Sequence, residues 1–280
     1  MGSVFSPYYR RAWQQGRSRA DEHCALNVCL YGGGQGRWTM TERGARHVKR
    51  GPAQFVIGPS RVAWENGALV VDIDERSAPL PRRVRGRVVV RPQGLTNFVA
   101  AIDDRGRHRW GPIAPCARIE VALDSPSLNW QGSAYLDSNE GDEPISEPFT
   151  TWDWMRAPLP DGSTAVIYDV GLKSGGERQI ARRFHPDGST TALAVPERHA
   201  LPATGWRIGR RLRSEAAAGG ARGPAAVLET LEDTPFYARS LVRTRLAGHD
   251  TTGVHETLMA QRFAAPWVQA LLPFRMPRRA

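Results

Sequence analysis

Two short segments of the sequence carry the side chains best suited to chemistry. His108 and Trp110 stand two positions apart, and so do Tyr135 and Asp137. Residues two apart on a β-strand share one face of the sheet. If both segments are strands that face one interior, an imidazole, an indole, a phenol and a carboxyl meet in a single cavity and are able to move protons. The spacing alone fits ordinary packing equally well, with His108 and Trp110 on the core and Tyr135 and Asp137 at a strand end.

The other candidate motifs favour no metal site. The acidic loop at 137–143 (DSNEGDE) departs from the calcium-loop template, because its sixth position is Asp142 instead of Gly and its twelfth is Pro148 instead of Glu. The sequence has three cysteines, Cys24, Cys29 and Cys116. They form no CxxC pair, and buried thiols in a reducing compartment explain them better than zinc or disulfides do. We therefore expect no metal and no other cofactor.

The chain is strongly basic, with 38 Lys and Arg against 28 Asp and Glu and a formal net charge of +10. Only Lys49 and Lys173 are lysines. The arginines are scattered along the chain, whereas a nucleic-acid-binding protein usually concentrates them on one element. A solvated surface or an anionic membrane surface explains the charge better. No apolar run approaches the ~20 residues of a spanning helix, and the amino terminus lacks a signal-peptide pattern, so we expect a cytoplasmic protein.

The elements that must position these side chains have the pattern of short antiparallel strands. Apolar and polar residues alternate along Arg83–Arg91 and Arg118–Leu123, as in half-buried strands. Turn signals such as Asn66-Gly67 and Asp187-Gly188 separate such runs. A helix is expected only near the carboxy terminus, around Ala265–Leu272. The sequence therefore predicts an all-β protein with a short C-terminal helix.

The chain is long enough for two β domains of the barrel or sandwich type. The segment Met155–Gly162 (MRAPLPDG) contains two prolines and an Asp-Gly turn signal, and we expect it to be the linker. The expected N-terminal domain therefore spans residues 1–155, and the expected C-terminal domain spans residues 156–280.

Eight segments together resemble a known enzyme family. They are FSPYY (5–9), HCALNVCLYG (23–32), RWTMTERG (37–44), DIDE (72–75), RHRWGPIAP (107–115), YLDSNEGDEP (135–144), WDW (152–154) and WVQALLPFRMPR (267–278). In this order they resemble the carotenoid 1,2-hydratases, also called hydroxyneurosporene synthases, of phototrophic bacteria. The resemblance covers nearly the whole chain, and it implies tandem lipocalin-like antiparallel barrels. Family members usually carry a further stretch before GSVFSPYY, so the resemblance implies either a first domain without its opening strands or a first barrel that closes differently.

The resemblance also implies a reaction and a site. Water would add across the terminal C1–C2 double bond of an acyclic carotenoid of the neurosporene or lycopene type, giving a 1-hydroxy carotenoid without a cofactor. The family's H-x-W and Y-x-D motifs match His108, Trp110, Tyr135 and Asp137. Asp137 is the expected acid, provided that burial raises its pKa from about 3.9. Tyr135 would orient this carboxyl. His108 would hydrogen-bond it or activate the water, and Trp110 would offer a π face to the cation at C1.

Two alternatives and one partner remain open on the sequence. Asp153, between Trp152 and Trp154, is an alternative acid. A lipocalin-like carrier of an apolar ligand is an alternative function, and it needs no acid at Asp137. Because the implied substrate dissolves in membranes, we expect peripheral contact with the cytoplasmic face of the intracytoplasmic membrane through residues 267–279. The oligomeric state, the preferred carotenoid and the number of ends hydrated are not specified by the sequence.

Overall fold

The computed structural model describes residues 4–32, 36–216 and 225–279. Its strands are β1 (Val28–Leu30), β2 (Arg37–Thr39), β3 (Glu42–Arg43), β4 (Val48–Arg50), β5 (Gln54–Ile57), β6 (Ser60–Glu65), β7 (Ala68–Arg76), β8 (Arg83–Pro92), β9 (Ala100–Ala101), β10 (His108–Ser125), β11 (Ser127–Gly141), β12 (Phe149–Pro158), β13 (Thr164–Leu172), β14 (Glu177–Phe184), β15 (Thr190–Ala192), β16 (Glu197–Leu201), β17 (Arg210–Ser214), β18 (Ala226–Asp233), β19 (Tyr237–Leu246), β20 (His249–Met259) and β21 (Arg278–Arg279). The predicted all-β fold is confirmed.

Helices are few and short. They are α1 (Pro7–Gln14), α2 (Ala260–Phe263) and α3 (Pro266–Arg275), with 3₁₀ turns at Ala20–Glu22 and Ala45–His47. The predicted short helix near the carboxy terminus is confirmed by α3. Within the described part of the chain, no helix combines the length and the apolar composition that crossing a bilayer requires.

The chain divides into two compact units. Unit 1 comprises Met1–Pro92, Ala117–Ala134 and Gln269–Ala280, and unit 2 comprises Gln93–Cys116 and Tyr135–Val268. These extents differ from the segments 1–155 and 156–280, because the chain passes between the units at the end of β8 and within β10, β11 and α3. The division at residues 155 and 156 stays a prediction about which segments fold on their own.

The expected linker Met155–Gly162 belongs instead to a hairpin inside unit 2. Met155 and Pro158 lie in β12, and the chain then turns directly into β13. Ser163 closes the turn, because the Leu159 amide donates to its carbonyl at 2.8 Å. Gly162 takes a φ of 83° in this turn, which glycine adopts without the strain that a Cβ would cause. The prolines and the Asp-Gly pair therefore mark a strand end and a tight turn.

Unit 1 is built on antiparallel strands whose side chains alternate as the sequence predicts. The strand order is β11–β10–β8–β7–β6–β5–β4, of which unit 1 holds β10 and β11 only within residues 117–134. In β8, Val84 and Val90 are buried, while Arg83 and Arg91 are exposed. The apolar face of these strands forms a core cluster of Ile73, Val84, Val121 and Leu123.

Unit 2 contains a seven-stranded antiparallel sheet of strand order β15–β14–β13–β12–β20–β19–β18, together with the hairpin β16–β17. This order is an open path over the described residues. Central strand β13 is buried along almost its whole length, as expected for a strand covered on both faces. One face of β12 packs Met155 and Ala157 into an apolar core with Ile167 of β13. The opposite face carries Trp152, Trp154 and Arg156, because side chains alternate along a strand.

Candidate active site

Asp137 is the centre of a hydrogen-bonded group in unit 2. Its Oδ2 atom accepts a hydrogen bond from Trp110 Nε1 at 2.9 Å and one from the Tyr135 hydroxyl at 3.3 Å. Trp110 lies on β10, and the other two residues lie on the neighbouring strand β11. The structure therefore brings three of the four predicted residues together at one carboxylate oxygen. Across the described residues, no hydrogen bond reaches the other oxygen, Oδ1.

Aromatic rings surround this group. The Tyr135 ring centroid lies 5.5 Å from that of Trp154 on β12, and the Trp110 centroid lies 5.8 Å from that of Tyr168 on β13. Trp154 and Tyr168 are directly opposite each other in the β12–β13 pair, so their side chains share one face of the sheet. Further rings that contact Trp110 edge-on are Phe98 and Phe184. Trp110 is completely buried, and the carboxyl therefore lies in a weakly polar environment.

This environment determines the protonation of Asp137. Burial raises the pKa of the Asp137 carboxyl above its ordinary value, and the negative charge of Glu256 raises it further. The hydrogen bonds from Trp110 and Tyr135 favour the ionised form and oppose that rise, as does the positive charge of Arg156. The burial effect is the largest and prevails. Asp137 therefore keeps its proton to a higher pH than an exposed aspartate does.

Two charged groups, Arg156 and Glu256, act on the Asp137 carboxyl from the sheet face that carries Trp154. The Arg156 guanidinium lies 5.5 Å from the centroid of the Tyr135 ring, and burial lowers the pKa of Arg156. Glu256, directly opposite Trp154 on β20, accepts a hydrogen bond from Arg239 Nε at 2.9 Å. Burial raises the pKa of Tyr135 well above its usual value, and the charge of Asp137 adds to this rise. This phenol is therefore a hydrogen-bond donor at any physiological pH.

His108 does not bind Asp137. Its Nδ1 atom lies 3.1 Å from Asp103 Oδ2, and its Nε2 atom lies 2.9 Å from the main-chain oxygen of Glu143. The ring also packs edge-on against Phe149 at a centroid distance of 4.9 Å. Both ring nitrogens are therefore occupied. Of the two roles that the family resemblance implies for His108, the hydrogen bond to the Asp137 carboxyl is not formed. The i, i+2 spacing placed His108 and Trp110 on one face, but their polar partners differ.

The partners of His108 form a cluster whose donor set resembles a metal site. Atoms of Asp103, His108 and Glu143 approach within 4.8 Å of one another. However, the Glu143 carboxylate is paired with the guanidinium groups of Arg105 and Arg107. Burial opposes ionisation of Asp103, but the hydrogen bonds from the side chain and backbone of His108 outweigh it and lower the pKa of that carboxyl. These groups already neutralise one another, so the cluster fits a structural anchor better than a metal centre.

Asp153, the alternative acid, lies on the opposite face of β12 from Trp152 and Trp154. Its Oδ1 accepts from the Thr257 hydroxyl at 2.6 Å, and its Oδ2 accepts from Arg211 Nε at 3.2 Å. It borders a separate cavity of about 400 Å³. The aromatic setting expected for Asp153 was therefore wrong, because adjacent residues on a strand point to opposite faces.

Several residues at the site were not found by sequence reasoning. Trp154 and Arg156 share a face of β12 at the same i, i+2 spacing that identified the first two pairs. That signal was present in the sequence WDWMR, but its last two residues, Met155 and Arg156, were assigned to the expected linker. Tyr168 and Glu256 lie opposite Trp154 only through strand register, and no local pattern reports such long-range pairing.

Comparison with known proteins identifies the family. A family model described as carotenoid hydratase CrtC matches residues 1–280. The chain belongs to this family. Its relatives include an acyclic carotenoid 1,2-hydratase of Rubrivivax gelatinosus, 57% identical over 284 residues, which cover 100% of this chain and 68% of that protein. The protein of the same name from Thiocapsa roseopersicina is 50% identical, covering 99% of this chain and 67% of the relative.

More distant similarity is consistent with this assignment. The acyclic carotenoid 1,2-hydratase of Cereibacter sphaeroides is 38% identical over 280 residues, covering 100% of this chain and 96% of that relative. Among solved structures, an AttH-type protein of Nitrosomonas europaea matches with a TM-score of 0.52 and 14% identity, over 77% of this chain and 72% of the other. At that identity the likeness concerns the fold alone. The carotenoid hydratase family resemblance predicted from the sequence is thus confirmed.

Proposed function

We propose that this protein adds water across the terminal C1–C2 double bond of an acyclic carotenoid of the neurosporene or lycopene type, with Asp137 as the general acid. The observation that carries the proposal is the Asp137 carboxyl, which is held among aromatic rings with both of its hydrogen bonds on Oδ2. Membership of the carotenoid hydratase family and the names of three relatives support the same reaction.

The first step is protonation of the alkene. A proton on Oδ1 of Asp137 is transferred to C2, the π bond breaks, and a tertiary cation forms at C1. An alkene is a weak base, so the acid must still carry its proton near neutral pH, and burial in this site raises the pKa of Asp137 in that direction. The Trp110 and Tyr135 donors then stabilise the carboxylate that the transfer leaves behind. The indole and phenol faces nearby stabilise the cation, by about 2 kcal/mol for a desolvated aromatic contact.

The second step completes the addition. The oxygen of a water molecule bonds to C1, and a proton of that water passes to the Asp137 carboxylate, which regenerates the acid. Atoms and charge balance with the alkene and water alone, so the proposed reaction has no redox step and requires no cofactor. One carboxyl serves as acid and then as base.

His108 acts in this proposal by positioning Trp110. The imidazole is fixed between Asp103 and the main chain of Glu143, two residues before Trp110 on β10. Anchoring the first residue of that strand fixes where the indole N–H meets Asp137. Direct activation of water by His108 would first require one of its two hydrogen bonds to break.

Peripheral contact with the cytoplasmic face of a membrane belongs to the same proposal. Trp267, Leu271 and Phe274 of α3 are exposed by 50%, 46% and 71%, at i, i+4 and i+7, so they share one side of the helix. Val268 and Leu272 of the same helix are buried. An apolar stripe of this kind, on a chain of net charge +10, suits an anionic lipid surface.

The test compares Asp137→Asn with the unchanged chain and with Asp142→Asn. Purified protein is supplied with an acyclic carotenoid in liposomes, and 1-hydroxy product is measured by chromatography and mass spectrometry. Asn has nearly the same shape as Asp but delivers no proton, so product formation should fall about 100- to 10,000-fold. Asp142 is exposed on the adjoining loop, and its variant should retain activity. Undiminished hydration by a folded Asp137→Asn protein would contradict the assignment, and carotenoid binding without any alcohol would favour a carrier.

A further inference from the structure

The indole N–H of Trp154 is buried at the site without a hydrogen-bond partner among the described residues. Trp154 lies on β12, between β13 and β20 in the sheet of unit 2. Its ring is 5.5 Å from that of Tyr135, and its neighbours across the strands are Tyr168 and Glu256. A buried N–H without an acceptor costs free energy comparable to a lost hydrogen bond, and such groups usually mark a bound water or ligand.

The chemistry of the proposed reaction limits what that acceptor is. A carotenoid hydrocarbon has no oxygen or nitrogen, so it accepts no conventional hydrogen bond. Arg239 engages Oε1 of the nearby Glu256 carboxylate, and Trp110 and Tyr135 engage Oδ2 of Asp137. Neither carboxylate accepts a hydrogen bond from Trp154 Nε1, which has no partner among the described residues. The remaining oxygen in the reaction is that of water before the addition and that of the C1 hydroxyl afterwards.

We infer that Trp154 Nε1 donates a hydrogen bond to the water that attacks C1, and to the C1 hydroxyl of the product. The inference rests on the proposed function and adds a water-binding residue to it. The water oxygen receives the indole N–H on one lone pair and bonds to C1 with the other, while one of its protons passes to the Asp137 carboxylate. A hydrogen bond to a single donor keeps the water in place beside the cation without occupying the lone pair that reacts.

This role predicts a change in the fate of the cation. When water is poorly held, the C1 cation persists and loses a proton from an adjacent methyl group to the Asp137 carboxylate, which gives a terminal methylene isomer. In D₂O the acid delivers a deuteron to C2, so the isomer carries deuterium. The ratio of deuterated hydrocarbon to alcohol therefore measures how well the site holds water, separately from how fast it protonates the alkene.

The experiment uses the full chain with an acyclic carotenoid in liposomes in D₂O, and compares Trp154→Phe with Trp152→Phe. Both variants keep a ring and lose an indole N–H on the same face of β12, but Trp152 contacts Phe149 and Tyr168 instead of Tyr135. Trp154→Phe should lower alcohol formation about tenfold, the usual effect of one lost buried hydrogen bond, and raise the ratio by a similar factor. Trp152→Phe should leave the ratio unchanged, whatever its effect on rate.

Three results would overturn the inference. The first is an unchanged ratio of deuterated hydrocarbon to alcohol in a folded Trp154→Phe protein, and the second is an equal rise in that ratio for Trp154→Phe and Trp152→Phe. The third concerns Trp154→His, which retains a ring N–H: its ratio would be no lower than that of Trp154→Phe. If the Phe variant does not fold, Trp154→His alone decides, because its ratio should stay below twice that of the unchanged chain. An unchanged chain that forms neither alcohol nor deuterated hydrocarbon contradicts the proposed function, and this assignment with it.

Discussion

At the scale of single residues, the site combines a proton donor with groups that act on its affinity in opposite directions. Burial and the Glu256 charge hold the proton on Asp137, whereas Arg156 and the donors Trp110 and Tyr135 favour its release. An acid that protonates an alkene needs both properties, since it must be protonated when the substrate binds and must form a stable carboxylate afterwards. The opposing charges of Arg156 and Glu256 therefore adjust the working pH range of the carboxyl.

Substitution of these two residues should shift the pH profile in opposite directions. In the proposed mechanism hydration requires protonated Asp137, so activity should be lost as the pH rises through the pKa of that carboxyl. Removal of the positive charge in Arg156→Gln raises this pKa further, and the alkaline limb of kcat/KM should move to higher pH. Removal of the negative charge in Glu256→Gln lowers the pKa, and the limb should move to lower pH.

The matched control for this prediction is Arg245→Gln. Arg245 forms a surface pair with Asp250 at 2.8 Å in the same unit, where it should leave the profile in place. If Arg156→Gln and Glu256→Gln moved the alkaline limb in the same direction, their charges would not act on the Asp137 carboxyl as expected.

At the scale of elements, the beginning of β10 and the end of β11 must approach closely. A Cβ added at Gly141 would lie 2.8 Å from His108 Cδ2 and 3.1 Å from Nε2. The His108 ring has little freedom to move away, because Asp103 and the Glu143 main chain hold both of its nitrogens and Phe149 packs against it. Gly141, in the segment YLDSNEGDEP, thus leaves the space that the His108 imidazole of the neighbouring strand occupies.

Gly141→Ala should therefore destabilise the protein and reduce its activity. Overpacking against a fixed side chain typically costs about 1–3 kcal/mol, and the shifted imidazole displaces Trp110 on the same strand. Thermal unfolding and product formation are the two measurements. Gly209→Ala is the control, because a Cβ there meets no heavy atom within 4 Å. If Gly141→Ala had the stability and activity of the unchanged chain, His108 would have room to move.

The sequence predicts local relations at the site better than distant ones. The pairs His108–Trp110 and Tyr135–Asp137 were found because side-chain alternation depends only on neighbouring residues. Their approach to Trp154 and Tyr168 depends on which strands of unit 2 face β10 and β11, which no short window of sequence records. The partner of His108 was missed for a related reason: Asp103 is only five residues away, but the chain between them turns sharply before β10 begins.

At the scale of the whole molecule, the composition and α3 concern where the reaction takes place. The net charge is +10, and nearly all of the positive charge comes from arginine, which stays charged at any physiological pH. The exposed apolar stripe of α3, Trp267, Leu271 and Phe274, would provide a second kind of attraction in the proposed contact with lipid. Charge is screened by salt, with a Debye length of about 8 Å at physiological ionic strength, whereas apolar contact is not.

Flotation with anionic liposomes should separate the two contributions. Binding of the unchanged chain should weaken as salt increases and retain a residual fraction at high salt. The double variant Trp267→Ser, Phe274→Ser should lose that residual fraction, whereas Trp64→Ser, which removes an exposed indole of β6, should retain it. Absence of binding to liposomes of any composition would remove the membrane contact from the proposal.

Both donors to Asp137 converge on Oδ2, so a single oxygen, Oδ1, is left to give a proton and to take one back. By microscopic reversibility, a carboxyl used in this way catalyses removal of water from the tertiary alcohol through the same cation. In the proposed reaction the site would accelerate the approach to equilibrium and impose no direction on it. The net direction is then set outside the protein, by the supply of polyene dissolved in lipid and by how quickly the more polar alcohol is withdrawn or converted.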